Sequence, residues 1–375
     1  MPDRRVVVIT GASAGVGRAT AKAFAENGFN VALLARGQAG LEAASKDVTD
    51  AGARALSIPT DVSQFVEVDA AATKVEEELG PIDVWVNNAM TTVFAPSWDT
   101  KPTDFQRAVE VTFLGQVWGT QAALARMRPR DRGNIVNVGS ALAFVGIPLQ
   151  GAYCSSKFAC RGFFESTRAE LLHEGSHVHL TMVHLPAVNT PQFDWCETTL
   201  DRHPQPVAPI YQPEVPAKFI LQAALDGRRS KTLGSWNKML VFTDTLFPGF
   251  GNQYAALAAW DGQLTDQPLQ NDRPSNLHEP ADAERDFGAH GIFDSRAGGF
   301  MDPSFLRTLP GTAGVFAQAL GRTVAEKRRL TATKRRVRAA RTRSIGAHPV
   351  LFNGSLRLDS APSSDVRPFP NDRAH

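Results

Sequence analysis

Short apolar runs rich in β-branched residues alternate with helix-length segments through the first 235 residues. The strand candidates are RRVVVIT (4–10), NVALLAR (30–36), ARALSIPT (53–60), IDVWVNNA (82–89), NIVNVGS (134–140) and VHLTMVHL (178–185), with a shorter seventh, KTLGSW (231–236). Most are continuous apolar runs rather than alternating ones, the pattern of strands buried on both faces of a parallel sheet. Helical segments fill 15–27, 39–51, 63–79, 104–127, 152–173 and 213–226. This regular alternation predicts a doubly wound, mostly parallel α/β sheet with helices on both faces.

Beyond about residue 240 the rhythm stops. Residues 244–310 are rich in Gly, Pro, Asp and Asn (FPGFGNQ, QNDRPSNLHEP, DFGAHGIFDSRAGGF), which predicts loops with little regular structure. Residues 312–343 fit one helix, apolar early and basic late, and the Pro/Ser/Asp-rich stretch after Gly346 predicts disorder. The expected organisation is an α/β body over 1–240, a loop-rich extension over 241–311, a basic helical segment over 312–345 and a disordered tail over 346–375.

Composition alters this picture little, since 43% apolar and 21% charged residues are ordinary for a globular chain. Charge alters it more. Residues 322–343 carry ten Lys/Arg and one Glu, which leaves 30 basic and 37 acidic residues elsewhere, a mildly acidic body with a basic appendage. That appendage could dock on an anionic membrane, but its charges surround a helix rather than forming one face, and no nucleic-acid motif accompanies it. Three cysteines, Cys154, Cys160 and Cys196, are too few and too irregular for a disulfide framework or a zinc site. Reduced thiols, a first strand that leaves no room for a signal peptide, and an uncharged stretch (134–156) broken by Asn, Gly and Pro together lead us to expect a cytoplasmic protein.

VVVITGASAGVGRATAKAFA (6–25) is a buried strand, a turn with Gly11, Gly15 and Gly17, and an alanine-rich helix. Such a turn lets backbone N–H groups approach a pyrophosphate at a helix N-terminus. The glycine cluster is informative because it joins a first strand to a first helix. At the end of the second strand a carboxylate would bind the ribose hydroxyls of NAD, whereas an arginine accommodates the 2′-phosphate of NADP. Here ALLARGQAG offers Arg36 and no acid, which favours NADP over NAD.

Tyr153 and Lys157 stand four apart in GAYCSSKFACRG and so share one face of a helix. A phenol with a pKa near 10 is a poor base at neutral pH, and a neighbouring ammonium would lower it. Tyr153 could then exchange a proton with a carbonyl or alcohol oxygen, with Ser140, at the carboxyl end of its strand, hydrogen-bonding the same atom. Phe144, Phe193 and Trp195, in the flanking segments 141–151 and 191–212, suggest an apolar substrate. His177, His179 and His184 lie in a strand without an acidic cluster and do not read as a metal site.

The ordered motifs TGASAGVG (10–17), DV (61–62), NNA (87–89), Ser140 and YCSSK (153–157) resemble the short-chain dehydrogenase/reductase family, in its single-domain Rossmann-type branch. The resemblance covers roughly residues 4–235. It implies an oxidoreductase whose cofactor turn uses Thr10, Gly11, Ser13, Gly15, Val16 and Gly17. It further implies that Asp61 and Val62 hold the adenine, that Asn87 and Ala89 line the ribose side, and that Val188 and Thr190 contact the carboxamide. Lys157 would also hold the nicotinamide ribose. Three departures stand out: Thr112 where an Asn usually links a water to the lysine, Met90 in place of glycine, and Leu185-Pro186 in place of Pro-Gly. Relatives form dimers or tetramers through the helices here at 104–127 and 152–173, so a homodimer is expected, and no nucleic-acid partner. The rival reading is a non-catalytic NADP(H)-binding sensor that engages a partner through its basic segment.

Overall fold

The computed structural model describes residues 4–234, 249–270, 272–298 and 317–325, with isolated positions at 238, 242, 246, 314 and 328. The basic segment 322–343 and the tail expected at 346–375 fall almost wholly outside the described residues. Residues Met1–Val324 group as one unit and Ala325–His375 as a second.

Seven strands form one parallel sheet: β1 (Val6–Thr10), β2 (Asn30–Ala35), β3 (Ala55–Pro59), β4 (Ile82–Asn87), β5 (Gly133–Ser140), β6 (Val178–Leu185) and β7 (Ser230–Thr232), in the order β7-β6-β5-β4-β1-β2-β3. Successive residues of β1 belong to opposite cores. Val7 and Ile9 pack with the core that holds Phe24, Leu41 and Ile220, while Val6 and Val8 pack with the core that holds Val68, Met127 and Phe164. Both faces are therefore apolar and covered, which is why the strands read as unbroken apolar runs.

The first core is roofed by α1 (Gly15–Glu26), α2 (Gln38–Asp50) and α7 (Glu214–Asp226). The second is roofed by α3 (Phe65–Leu79), α5 (Gly115–Met127) and α6 (Gly151–His173). The helix expected at 104–127 is built from α4 (Pro102–Val109), a π-helical turn over Glu110–Leu114, and α5. The order reverses between β1 and β4, and the crevice beyond the carboxyl ends of these strands is where ligands bind in open α/β sheets.

The described part of 244–310 is more ordered than its composition suggests. It contains α8 (Phe250–Gly262), a strand Leu264–Pro268 antiparallel to Arg202–Pro204, and Ala297–Gly298 paired with Ile210–Tyr211. Residues 276–290 form an irregular strap over the first βα turns. The Arg18 guanidinium, ion-paired to Asp47 at 2.7 Å, also pairs with Asp286, and the Gly15 amide donates to the Gly288 carbonyl at 3.1 Å. Glycine and proline marked these residues as loops; their long-range partners are what order them. No helix among the described residues is long and apolar enough to cross a membrane.

Candidate active site

The glycine turn closes the end of β1. Gly11 (φ 64) and Gly15 (φ 56) are in the left-handed region that strains any side chain. A Cβ at Gly11 would also approach the Ala89 Cα to 2.8 Å, so this glycine lets the ends of β1 and β4 close up. The Thr10 hydroxyl accepts the amides of Asn88 (2.9 Å) and Ala89 (3.0 Å), fixing the same junction. No side chain caps α1, and its first turn carries no acid. Ser13, Ala14, Gly15 and Val16 line an elongated cavity at that helix end, with no side chain larger than valine. A small-residue cradle at a helix N-terminus fits the pyrophosphate of a nicotinamide dinucleotide.

The cavity runs from the turn past the ends of β5 and β6, and Ser140, Tyr153 and Lys157 all line it. Lys157 is 3% exposed, donates from Nζ to the Val138 carbonyl at 2.8 Å, and lies 5.5 Å from the Tyr153 ring centre. Ser140 Oγ accepts the Leu142 amide at 3.1 Å. Burial pushes the Tyr153 phenol above its ordinary value, with the Ser140 hydroxyl acting as a hydrogen-bond partner in the opposite sense. Burial also pushes Lys157 down. Desolvation dominates the Tyr153 phenol in these surroundings, and the Lys157 ammonium is committed to the Val138 carbonyl.

Of the other residues anticipated from the sequence, Gly11, Ser13, Gly15, Val16, Ala89, Val188 and Thr190 line the cavity, whereas Thr10, Gly17, Arg36, Asp61, Val62, Asn87 and Thr112 do not. Gly17 lies against the Gly11 carbonyl, where a Cβ would overlap it. The Asn87 amide is spent in the interior, donating to Thr120 Oγ1 and Asn137 Oδ1 and accepting from Trp85 Nε1; its neighbour Asn88 lines the cavity instead. The Thr112 hydroxyl donates to the Thr91 carbonyl (2.8 Å) and accepts the Thr91 amide (3.0 Å), so it does not turn toward Lys157. Asp61 pairs with Arg107 at 2.5 Å; burial opposes its ionisation, but Arg107 and the Ser63 donors hold its pKa below the ordinary value. Val62 packs against Gly115. The Arg36 guanidinium donates to the carbonyls of Asn276 and His278, both at 2.6 Å, on the strap.

Phe193 and Trp195 line the cavity, but Phe144 does not: its ring lies edge-on to His184 (4.7 Å) and beneath Arg161. Val207 and Pro209, from the flanking segment 191–212, are joined on the cavity lining by Ala255 and Ala259 of α8, which lie outside both segments expected to flank the substrate. Gln263 ties that wall down, donating to the Pro148 carbonyl at 2.9 Å and accepting from Gln150, itself a cavity residue, at 2.6 Å. The alanine-rich YAALAAW was the available signal for this helix. His184 is buried and pushed down to about 4, mainly by desolvation, and the described residues hold no metal-ligating group of side chains. Burial lifts Cys154 to about 11, so it is an inert thiol beside the tyrosine.

The profile of the short chain dehydrogenase family matches residues 5–198. The protein named "Uncharacterized oxidoreductase YxnA" from Bacillus subtilis (strain 168) is 32% identical over 288 residues, covering 76% of this chain and 81% of that protein. The chain belongs to the short-chain dehydrogenase family of oxidoreductases. The bovine (Bos taurus) 3-ketodihydrosphingosine reductase is 31% identical, with 62% of this chain and 72% of that protein covered. Mouse (Mus musculus) estradiol 17-beta-dehydrogenase 11 is 37% identical, over 44% of this chain and 56% of that protein. Among solved structures, an alcohol dehydrogenase from the archaeon Thermococcus sibiricus complexed with 5-hydroxy-NADP aligns with a TM-score of 0.53 and 27% identity, covering 61% of this chain and 94% of that one.

Proposed function

We propose that this chain interconverts a carbonyl and an alcohol on an apolar substrate, with Tyr153 transferring the proton, Ser140 as the second donor to the substrate oxygen, and Lys157 positioning the site. One observation carries the reading. The Tyr153 phenol and the Ser140 hydroxyl stand on one wall of a cavity whose one end is the glycine turn and whose other is apolar. A nicotinamide dinucleotide held by Gly11, Ser13, Gly15, Val16 and Thr190 supplies or takes up the hydride.

In the reducing direction the substrate oxygen accepts hydrogen bonds from Ser140 and Tyr153, which stabilise negative charge as it develops there. The phenol proton then passes to that oxygen, so that one hydride and one proton convert C=O to CH–OH. Tyr153 is protonated at neutral pH, the form that donates, and burial favours that form further. In the oxidising direction the phenolate must accept a proton, and Lys157 is the cation this chain provides beside it. Phe193, Trp195 and Ala259 give the cavity apolar lining.

Relatives named for estradiol, for 3-ketodihydrosphingosine and as an alcohol dehydrogenase support an alcohol or ketone substrate. As far as β2 alone decides it, Arg36 supports NADP(H); the engagement of its guanidinium by the strap weighs against that choice. A homodimer remains part of the proposal, since α6 exposes Phe158 and Leu172.

The test is a panel of apolar ketones, aldehydes and alcohols offered to the purified chain with NADPH or NADH, monitored by nucleotide absorbance. Turnover of an apolar carbonyl compound is expected. Tight nucleotide binding without turnover of any member would contradict the catalytic reading.

A further inference from the structure

Part of the cavity lining comes from beyond the α/β body in sequence. α8 turns a single stripe inward: Gly251, Ala255, Ala259 and Gln263 recur every fourth residue and are buried, while Asn252, Ala256 and Trp260 are exposed. Residues four apart on a helix share one face. The first three members of the stripe line the cavity, and none carries more than a methyl group. The fourth anchors the stripe to the catalytic helix. Gln263 accepts from Gln150 Nε2 at 2.6 Å, three residues before Tyr153, and donates to the Pro148 carbonyl at 2.9 Å.

That anchor gives the stripe a direction. Its Gln263 end stands beside the first turn of α6, which carries Tyr153. A helix rises about 1.5 Å per residue, so Ala259, Ala255 and Gly251 lie roughly 6, 12 and 18 Å from Gln263 along the α8 axis. From Ala259 to Gly251 the stripe runs about 12 Å, the length of roughly nine methylenes in an extended chain with C–C bonds of about 1.5 Å. Protein interiors are normally filled to the density of an organic crystal, yet here one helix face presents only Gly and Ala to open space. Apolar surface facing a cavity forgoes dispersion contacts that an apolar guest restores. Small residues repeated along one helix shape room that continues in one direction, which suits a chain better than a compact ring.

We propose that the substrate is an unbranched aliphatic carbonyl compound or alcohol whose chain lies along α8, and that Ala259, Ala255 and Gly251 determine the chain length accepted. This rests on the reading of Tyr153 and Ser140 as the proton-transfer site, which fixes the end where the substrate oxygen sits. Each methylene added to the chain covers a further part of the stripe until the chain reaches Gly251. A larger side chain would therefore stop the chain in a set order: earliest at Ala259, later at Ala255 and last at Gly251.

The test offers the full-length protein the straight-chain 2-ketones from butan-2-one to tetradecan-2-one. Two quantities are read: kcat/KM with reduced nucleotide, and the rise in unfolding temperature that each ketone produces with oxidised nucleotide, which cannot reduce it. In the wild type both should climb with chain length, kcat/KM by about three- to fourfold per methylene, as burial of a CH2 allows. The climb should level off near roughly ten carbons, where the stripe ends. Ala259→Leu should end the climb among the shortest ketones and Ala255→Leu near the middle of the series. Gly251→Leu should curtail it only at the long end and leave short ketones at wild-type values. Circular dichroism identifies any variant that fails to fold, and the wild-type profile with the order of the other variants still decides. A flat wild-type profile, a reversed order, or an equal loss at every length in Gly251→Leu would overturn the proposal and leave the catalytic site standing. So would a stronger response to estrone, a rigid ring ketone, than to any member of the series. Ordered thermal shifts without turnover of any ketone would uphold the chain-length reading and overturn the catalytic one. Neither shift nor turnover with any ketone would overturn the proposal itself.

Discussion

The Nζ of Lys157 donates to the carbonyl of Val138 at 2.8 Å, two residues before Ser140 on the same strand. This single bond ties the helix that carries Tyr153 to the strand that carries Ser140. Because Lys157 is buried and has lost its water shell, the bond is strong in its effect on position. Lys157→Met should therefore lower kcat by about 100-fold or more, a loss in the usual range for general acid–base groups. Circular dichroism should show the fold retained. A kcat within a few-fold of wild type would show that the lysine does not organise the site.

The raised Tyr153 phenol makes a directional prediction about pH. An unshifted tyrosine would lose its proton near pH 10 and carbonyl reduction would fail there. With burial holding the phenol protonated, the reduction rate should show no alkaline fall from pH 7 to 10, while alcohol oxidation should climb over the same range. A pH profile of kcat in both directions checks this. A fall in reduction centred near neutral pH would mean the phenol is lowered, as the sequence had led us to expect.

His290 bridges the strap to the body, bonding Asp294 at 2.9 Å and Glu214 at 2.8 Å. Partial burial opposes its protonation, but the two carboxylates outweigh it and raise its pKa above the ordinary histidine value. The sign follows from linkage: the contribution is fully present below pH about 6.5 and is lost as pH rises through the raised folded value. Thermal unfolding should accordingly show stability declining across that window, with a flatter profile in His290→Gln. The effect should be small, since the ring is 40% exposed.

Ala255 and Ala259 give the cavity its far wall without filling it. Ala255→Phe should obstruct the substrate end and raise KM for an apolar substrate about tenfold or more, in line with overpacking of a fitted site. Nucleotide affinity, governed at the other end, should change little. Equal losses of both would place α8 against the cofactor rather than the substrate.

The sheet was legible because its strands are buried on both faces, so that VVVIT and NVALLA could hardly be anything else. The glycine turn and the Ser140, Tyr153 and Lys157 constellation were legible because spacing on a strand end and a helix fixes their approximate direction. Single side chains within a motif were less so: in NNA, Asn87 points into the interior and Asn88 toward the cavity, a choice set by Thr120 and Asn137 rather than by the motif. The strap was hidden altogether. In RGQAG, Gly37 and Gly40 look like a turn glycine and a helix glycine, and only the folded chain shows that Asp282, far along the sequence, takes up the room they leave. The sequence offers Arg36 as a partner for a 2′-phosphate for the same reason, since its carbonyl partners lie in a stretch whose composition signals only loop.

The most direct test of the catalytic account is Tyr153→Phe, which deletes one oxygen and leaves the ring in place. Turnover of a carbonyl substrate and nucleotide affinity should be measured on the same preparation. The account predicts that turnover falls by about 100-fold or more while nucleotide affinity stays within a few-fold of wild type. Full turnover in the Tyr153→Phe protein would contradict it, since no phenol would then be needed to carry the proton.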